Sequence, residues 1–156
     1  MPKFTLTNMV MIQDSNTGKV LVQNRIKKYP GIAFPGGKVD RSESIYDSAI
    51  REVKEETGYD VDNLVSCGFI YWDSITGDKY FTYFYKTSHY SGVNIGETDE
   101  GKVFWVDPTD LANMNLAPNM DKYMKMFFGN YSECHCKCLD NDEYEWEVTF
   151  RWKWWA

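Results

Sequence analysis

Glu52, Glu55 and Glu56 fall within one turn of a segment, Gly36 to Tyr59, that otherwise reads as an amphipathic helix. Like charges at that spacing repel and weaken a helix by roughly 0.2–0.5 kcal/mol per pair. Lys54 is the one cation inside the turn, and Arg51 just before it cannot neutralise all three acids. Two readings follow. The cluster is either a solvated charged face or a set of hard oxygen ligands for Mg²⁺ or Mn²⁺, which retain waters and take phosphate oxygens as further ligands.

Placement on the helix bears on the choice. At about 100° per residue, Ile45, Tyr46, Ala49, Ile50 and Val53 share one sector, the expected buried face. Glu52 and Glu56 lie at its edge and Glu55 just beyond, so the carboxylates line a rim where helix meets domain. A Pro/Gly-rich loop, Gly31 to Gly37 with Phe34 in its middle, stands immediately upstream. Ser44 with Asp47 three residues on predicts the helix start, and Gly58 predicts its stop.

The elements that must position this turn read as one mixed α/β domain. Phe4–Gln13 and Lys19–Asn24, joined by "DSNTG", predict a hairpin. Val65–Trp72 and Tyr80–Ser88, joined by "SITGD", predict strands, as does Lys102–Val106. Pro118 to Phe128 predicts a second helix through Met120, Tyr123, Met124 and Phe127. In the tail, Tyr144, Trp146, Val148, Phe150, Trp152 and Trp154 alternate with polar residues. That pattern predicts a strand turning back at "LDNDE" onto "ECHCKC". The division expected is 1–130 for the main domain and 131–156 for a C-terminal hairpin packed on it.

Composition narrows the classes. A chain of 156 residues, 43% apolar and 17% aromatic, can bury a sizeable core. Its net charge of -6 argues against coating a nucleic-acid polymer, yet leaves room for one anionic ligand held through a metal. No apolar run reaches the roughly 18–20 residues of a membrane span. The N-terminus lacks signal-peptide organisation, so a reducing cytoplasmic location is expected. Cys134, His135, Cys136 and Cys138 invite a zinc reading. On a strand, however, the cysteines share one face and His135 points away, so a tetrahedral set would need Cys67. The alternative is small buried residues against the tail strand. An uncovered aromatic tail would be an aggregation hazard, so a homodimer that covers it is expected.

Gly37, Glu43, Arg51, Glu52, Val53, Glu55, Glu56 and Gly58 together resemble the signature of the Nudix hydrolase family, G-x5-E-x7-R-E-U-x-E-E-x-G-U with U aliphatic. Every fixed position matches; Tyr59 replaces the final aliphatic residue, a packing position. "AFPGGKV" resembles the MutT-type subgroup, and the resemblance covers roughly Thr5 to Phe128. It implies an α/β/α sandwich with a mixed sheet. It also implies that Glu52, Glu55 and Glu56, with the Gly36 carbonyl, bind Mg²⁺ or Mn²⁺. Glu43 and Arg51 would be supports, Arg51 orienting the acids, and Glu52 the preferred proton acceptor. A further metal ligand from a later loop is assigned to Glu100, with Asp99 and Glu97 as rivals and an ordinary acidic loop as the alternative.

The same resemblance implies substrate contacts. Arg25 would bind phosphate, with Gly37 and Lys38 beside it, although a surface cation at a strand end is the other reading of Arg25. Phe34 would line a base pocket, offering backbone hydrogen bonds to a purine, and Asn119 would read an oxidised guanine; Asn115 competes, and Asn119 could instead belong to the first helical turn. The substrate implied is a (deoxy)nucleoside triphosphate, 8-oxo-dGTP or a related purine nucleotide, cleaved to monophosphate and pyrophosphate. Dinucleoside polyphosphates, ADP-ribose, nucleotide sugars or a non-catalytic sensing role are the alternatives.

Overall fold

The computed structural model describes residues 1–138 and 146–152. Its elements in chain order are β1 (Phe4–Ile12), β2 (Val20–Arg25), β3 (Gly31–Ala33), α1 (Ile45–Thr57), β4 (Tyr59–Asp62), β5 (Val65–Asp73) and β6 (Lys79–Thr87). They continue with β7 (His89–Gly92), β8 (Glu97–Thr98), β9 (Gly101–Val106), a 3₁₀ turn at Pro108–Asn113, α2 (Met120–Phe128), β10 (Tyr131–Cys138) and β11 (Trp146–Trp152). The result is a mixed α/β fold.

The first sheet runs β1-β6-β5-β10-β11 and is mixed: β1 pairs β6 in parallel and β10 pairs β5 in parallel, while the other pairs are antiparallel. The second, β3-β2-β9-β8, is antiparallel. A β4–β7 ribbon closes one end. β1 and β2 therefore do not form the expected hairpin. Asp14 turns the chain by accepting from the Thr17 amide and hydroxyl, and a single bridge joins Gln13 to Val20. Beyond it the strands separate into different sheets. The reason is burial on both faces: Met9 through Ile12 and Val20 through Gln23 are each continuously buried, so each strand needs cover on two sides.

That cover comes from two apolar clusters and two helices. Val10, Ile12 and Leu21 pack with Ala49 and Val53 of α1. Met9, Met11, Val20 and Val22 face the other way, in the cluster of Phe34, Phe84, Met120, Met126 and Phe127 that α2 completes. α1 starts where predicted: the Ser44 hydroxyl accepts from the Asp47 amide at 2.9 Å. It stops at Gly58, whose φ of +86° suits glycine.

The tail extends the first sheet. Cys134 and Cys136 are buried in the α2-side cluster beside Val148 and Phe150, and His135 lies on the opposite face, stacked on Tyr71 at 5.2 Å. Cys134 and Cys136 are thus core side chains, while the side chain of Cys138, the remaining cysteine of the zinc reading, lies outside the described residues. Trp152 is 64% exposed, unlike Val148 and Phe150. Tyr144, Trp154 and the turn at 139–143 lie outside the described residues. Among the described residues no helix is long and apolar enough to cross a membrane.

Candidate active site

Arg51 is the hub of the acidic turn. Its Nη2 donates to Glu43 Oε1 at 2.6 Å and to the Lys38 carbonyl at 3.0 Å, and its Nε donates to Glu43 Oε2 at 3.1 Å. Its Nη1 donates to Glu52 Oε1 at 3.0 Å and Glu55 Oε2 at 3.2 Å, and Asp40 stands 3.3 Å from Nη2. The planar fork thus serves the residue one position on, the residue one turn on and a two-pronged partner outside the helix, which lysine could not do. The paired carboxylates, Glu43 first, hold the guanidinium proton more tightly, and Arg51 holds Glu43 below its ordinary value.

The glycine loop lies against this rim. Asn8 donates its amide to the Gly37 carbonyl and Val10 to that of Pro35, which pins the loop to β1. Gly36 donates its own N–H to Glu56 Oε2 at 3.0 Å. A Cβ on Gly36 would strike the Asn8 carbonyl, and one on Gly37 would occupy the place of the Glu52 carboxylate. Close approach, more than a turn, is what requires these two glycines.

Burial separates the three acids. The Glu55 side chain is 58% exposed, that of Glu52 only 16%. Burial raises the Glu52 pKa against the pull of Arg51, and Glu55 and Glu100 add to the rise. Glu56 is pushed up to about 8, chiefly by burial, with Glu52 and Glu100 adding to the rise; the Gly36 N–H and Arg25 oppose it. The charges of Glu100 and Arg25 thus reach the turn, although each is far from it in sequence. The Glu100 carbonyl also accepts from Ile26 at 3.2 Å, tying its loop to the end of β2. Its rival Asp99 pairs with Lys27 at 2.7 Å.

The donor set consists of hard oxygens with one arginine among them, the chemistry suited to Mg²⁺ or Mn²⁺. Among the described residues the carboxylates do not converge into a three-membered metal cage, because Arg51 Nη1 occupies oxygens of both Glu52 and Glu55. Glu55, paired with Arg51, is the more exposed of these two acids.

The other sequence-predicted residues are more scattered. The Phe34 ring is 1% exposed and packs edge-on against Phe127, so it belongs to the core. Asn119 has φ +68° at the start of α2, makes no capping bond and accepts from Lys122 Nζ at 3.0 Å. It lines a recess of about 80 Å³ with Ile70, Trp72, Lys122, Tyr123 and Cys136, which Phe34 does not join. The Asn115 carbonyl is tied up by the Ile32 amide. Sequence reasoning missed Asn8, 3% exposed, whose amide donates to Ser48 of α1 while its Oδ1 accepts from Gly37 at 3.4 Å. A polar residue in the apolar run "TNMVMI" was the available signal.

The NUDIX domain model matches residues 3–127. An uncharacterized Nudix hydrolase of Bacillus subtilis, YvcI, is 34% identical over 117 residues, 72% of either chain. Among solved structures, the MutT protein of Bacillus halodurans superposes with a TM-score of 0.75 at 19% identity, covering 94% of this chain and 97% of that one. MutT from the Aliivibrio salmonicida and Vibrio cholerae study gives 0.65 at 25% identity, covering 80% and 97%.

Proposed function

Since the chain belongs to the Nudix family of hydrolases, we propose that it cleaves the diphosphate linkage of a (deoxy)nucleoside triphosphate in a divalent-metal-dependent reaction. The substrate is 8-oxo-dGTP or a related purine nucleotide, and the products are a nucleoside monophosphate and pyrophosphate. One observation carries the reading: two partly buried glutamates, Glu52 and Glu56, share a rim with a glycine loop whose N–H already holds one of them.

Glu52, Glu55, Glu56, Glu100 and the Gly36 carbonyl would hold the ion. Bound there, it supplies the charge that offsets repulsion between phosphate oxygens and an incoming nucleophile, and it acidifies a water. Glu52, raised by burial towards the working range of a proton acceptor, takes the proton from the attacking water. Arg51 keeps the acids aligned through its four carboxylate partners, with Glu43 as its anchor. Arg25 at the end of β2 and Lys38 beside the loop attract the triphosphate. Asn119 places its free amide group in the recess at α2, where the base would sit. Trp152 on the exposed edge strand β11 suits a homodimer contact, and the cell location implied is the cytoplasm.

The test is a substrate panel with Mg²⁺ or Mn²⁺, covering 8-oxo-dGTP, dGTP, dATP, a dinucleoside polyphosphate and ADP-ribose, read by ³¹P NMR. Pyrophosphate and monophosphate from the oxidised purine are expected. Orthophosphate alone, or binding without turnover across the panel, would overturn the reading. Glu55→Gln and Glu56→Gln should lose turnover far more than nucleotide affinity.

A further inference from the structure

Gln23 lies in β2, is 2% exposed, and its Nε2 is the buried side-chain polar atom left without a hydrogen-bond partner among the described residues. Such an orphan costs free energy in the folded state, because the amide has left water and gained nothing. Its position shows what the donor serves. Side chains alternate along a strand, so Leu21, Gln23 and Arg25 share a face of β2. Leu21 packs in the cluster with Val53 of α1, and Arg25 acts electrostatically on Glu56, one turn further along the same helix. Gln23 therefore stands between the apolar contact and the acidic rim. Its register partners agree: Ala33 on β3 leads directly into the loop that binds Glu56, and Val103 on β9 follows the Glu100 loop. Glu56 is held through Oε2 alone among the described residues, by Gly36.

We propose that Gln23 is a positioning residue for the site, a reserve donor whose Nε2 takes the second carboxylate oxygen of Glu56 when cation and substrate engage the rim. The amide is unpaired at rest and paired in the working site, so it biases Glu56 towards the working geometry. Outer-shell donors of this kind typically change metal affinity or activity 10–100-fold. The inference rests on the reading of Glu56 as a ligand given above.

The experiment compares wild type, Gln23→Met, Gln23→Leu, Glu56→Gln and the double variant Gln23→Met/Glu56→Gln. It reads the Tm of metal-free protein, the Mn²⁺ Kd by EPR titration, and kcat and KM with the nucleotide triphosphate. Both apolar variants should keep or raise the metal-free Tm while Mn²⁺ binding weakens about tenfold and kcat falls with little change in KM. In the Glu56→Gln background, Gln23→Met should add nothing. A lower metal-free Tm in both variants would show that the amide already has a structural partner and would overturn the proposal. Unchanged Tm with unchanged Mn²⁺ affinity would overturn it equally. If Glu56→Gln itself leaves Mn²⁺ affinity intact, the ligand reading fails; if it weakens binding and Gln23→Met does not, only the role of Gln23 fails.

Discussion

The acidic rim of α1 and the recess at the start of α2 are built on opposite principles. In the rim, residues 51, 52, 55 and 56 are neighbours by helix geometry, and one guanidinium organises them. The recess is assembled from β5, β10 and α2, with Trp72, Cys136 and Asn119 far apart in the chain. A change in the rim propagates through a shared hub, whereas a change in the recess stays local. The two regions should respond to substitution on different scales.

The sharpest break is Glu52→Gln, which removes the assigned proton acceptor without changing its volume. We expect kcat to fall about 10²–10⁴-fold with nucleotide binding retained, measured by steady-state kinetics and calorimetry. Next comes Arg51→Lys, which keeps the charge but not the fork. Activity should drop about 10–100-fold, and the metal-free Tm should fall as Glu43, Glu52 and Glu55 lose their common partner.

The rim should also set the pH dependence of stability. Glu56 has its folded pKa raised to about 8 from 4.5. The folded state thus binds more protons than the unfolded one between those values, and metal-free stability must fall as pH rises from about 5 to 8. The loss is about 2–4 kcal/mol, read from urea melts across that window. Glu56→Gln should flatten the profile, because a neutral amide can still accept from Gly36. Glu43 acts in the opposite sense: its folded pKa is depressed, so its contribution disappears only on acidification below the ordinary carboxylate range. A metal-free protein whose stability rises from pH 5 to 8 would contradict the burial of Glu56.

The recess should yield smaller numbers. Asn119→Ala should raise KM about five- to tenfold, the equivalent of one hydrogen bond. Its kcat should hardly move, and its Tm should fall slightly, since a φ of +68° suits asparagine better than alanine. A tenfold loss of kcat instead would mean that the recess and rim are coupled. Trp152→Ser should leave activity unchanged and abolish any dimer seen by light scattering.

The legibility of each region follows the same division. Ser44, Gly58 and the apolar sector of α1 were readable because capping and helical period are local. Gly36 and Gly37 were readable as a loop, but not the reason for them, which is contact with Asn8 and Glu52. The β1–β2 hairpin was misread because turn chemistry predicts a reversal and says nothing about which partners each strand then takes. The sequence placed Phe34 beside a base pocket through its backbone but did not show that its ring packs in the core, since a phenylalanine suits either surrounding.

The sequence by itself determined the acidic turn, its arginine and the helix that carries them, because 3.6 residues per turn converts spacing directly into a face. Only the tertiary structure decided which carboxylates are buried, that the charges of Glu100 and Arg25 reach Glu56, and that Gln23 has a donor to spare. Those facts depend on strands brought together across the fold, where burial and field arise from neighbours that no local spacing encodes.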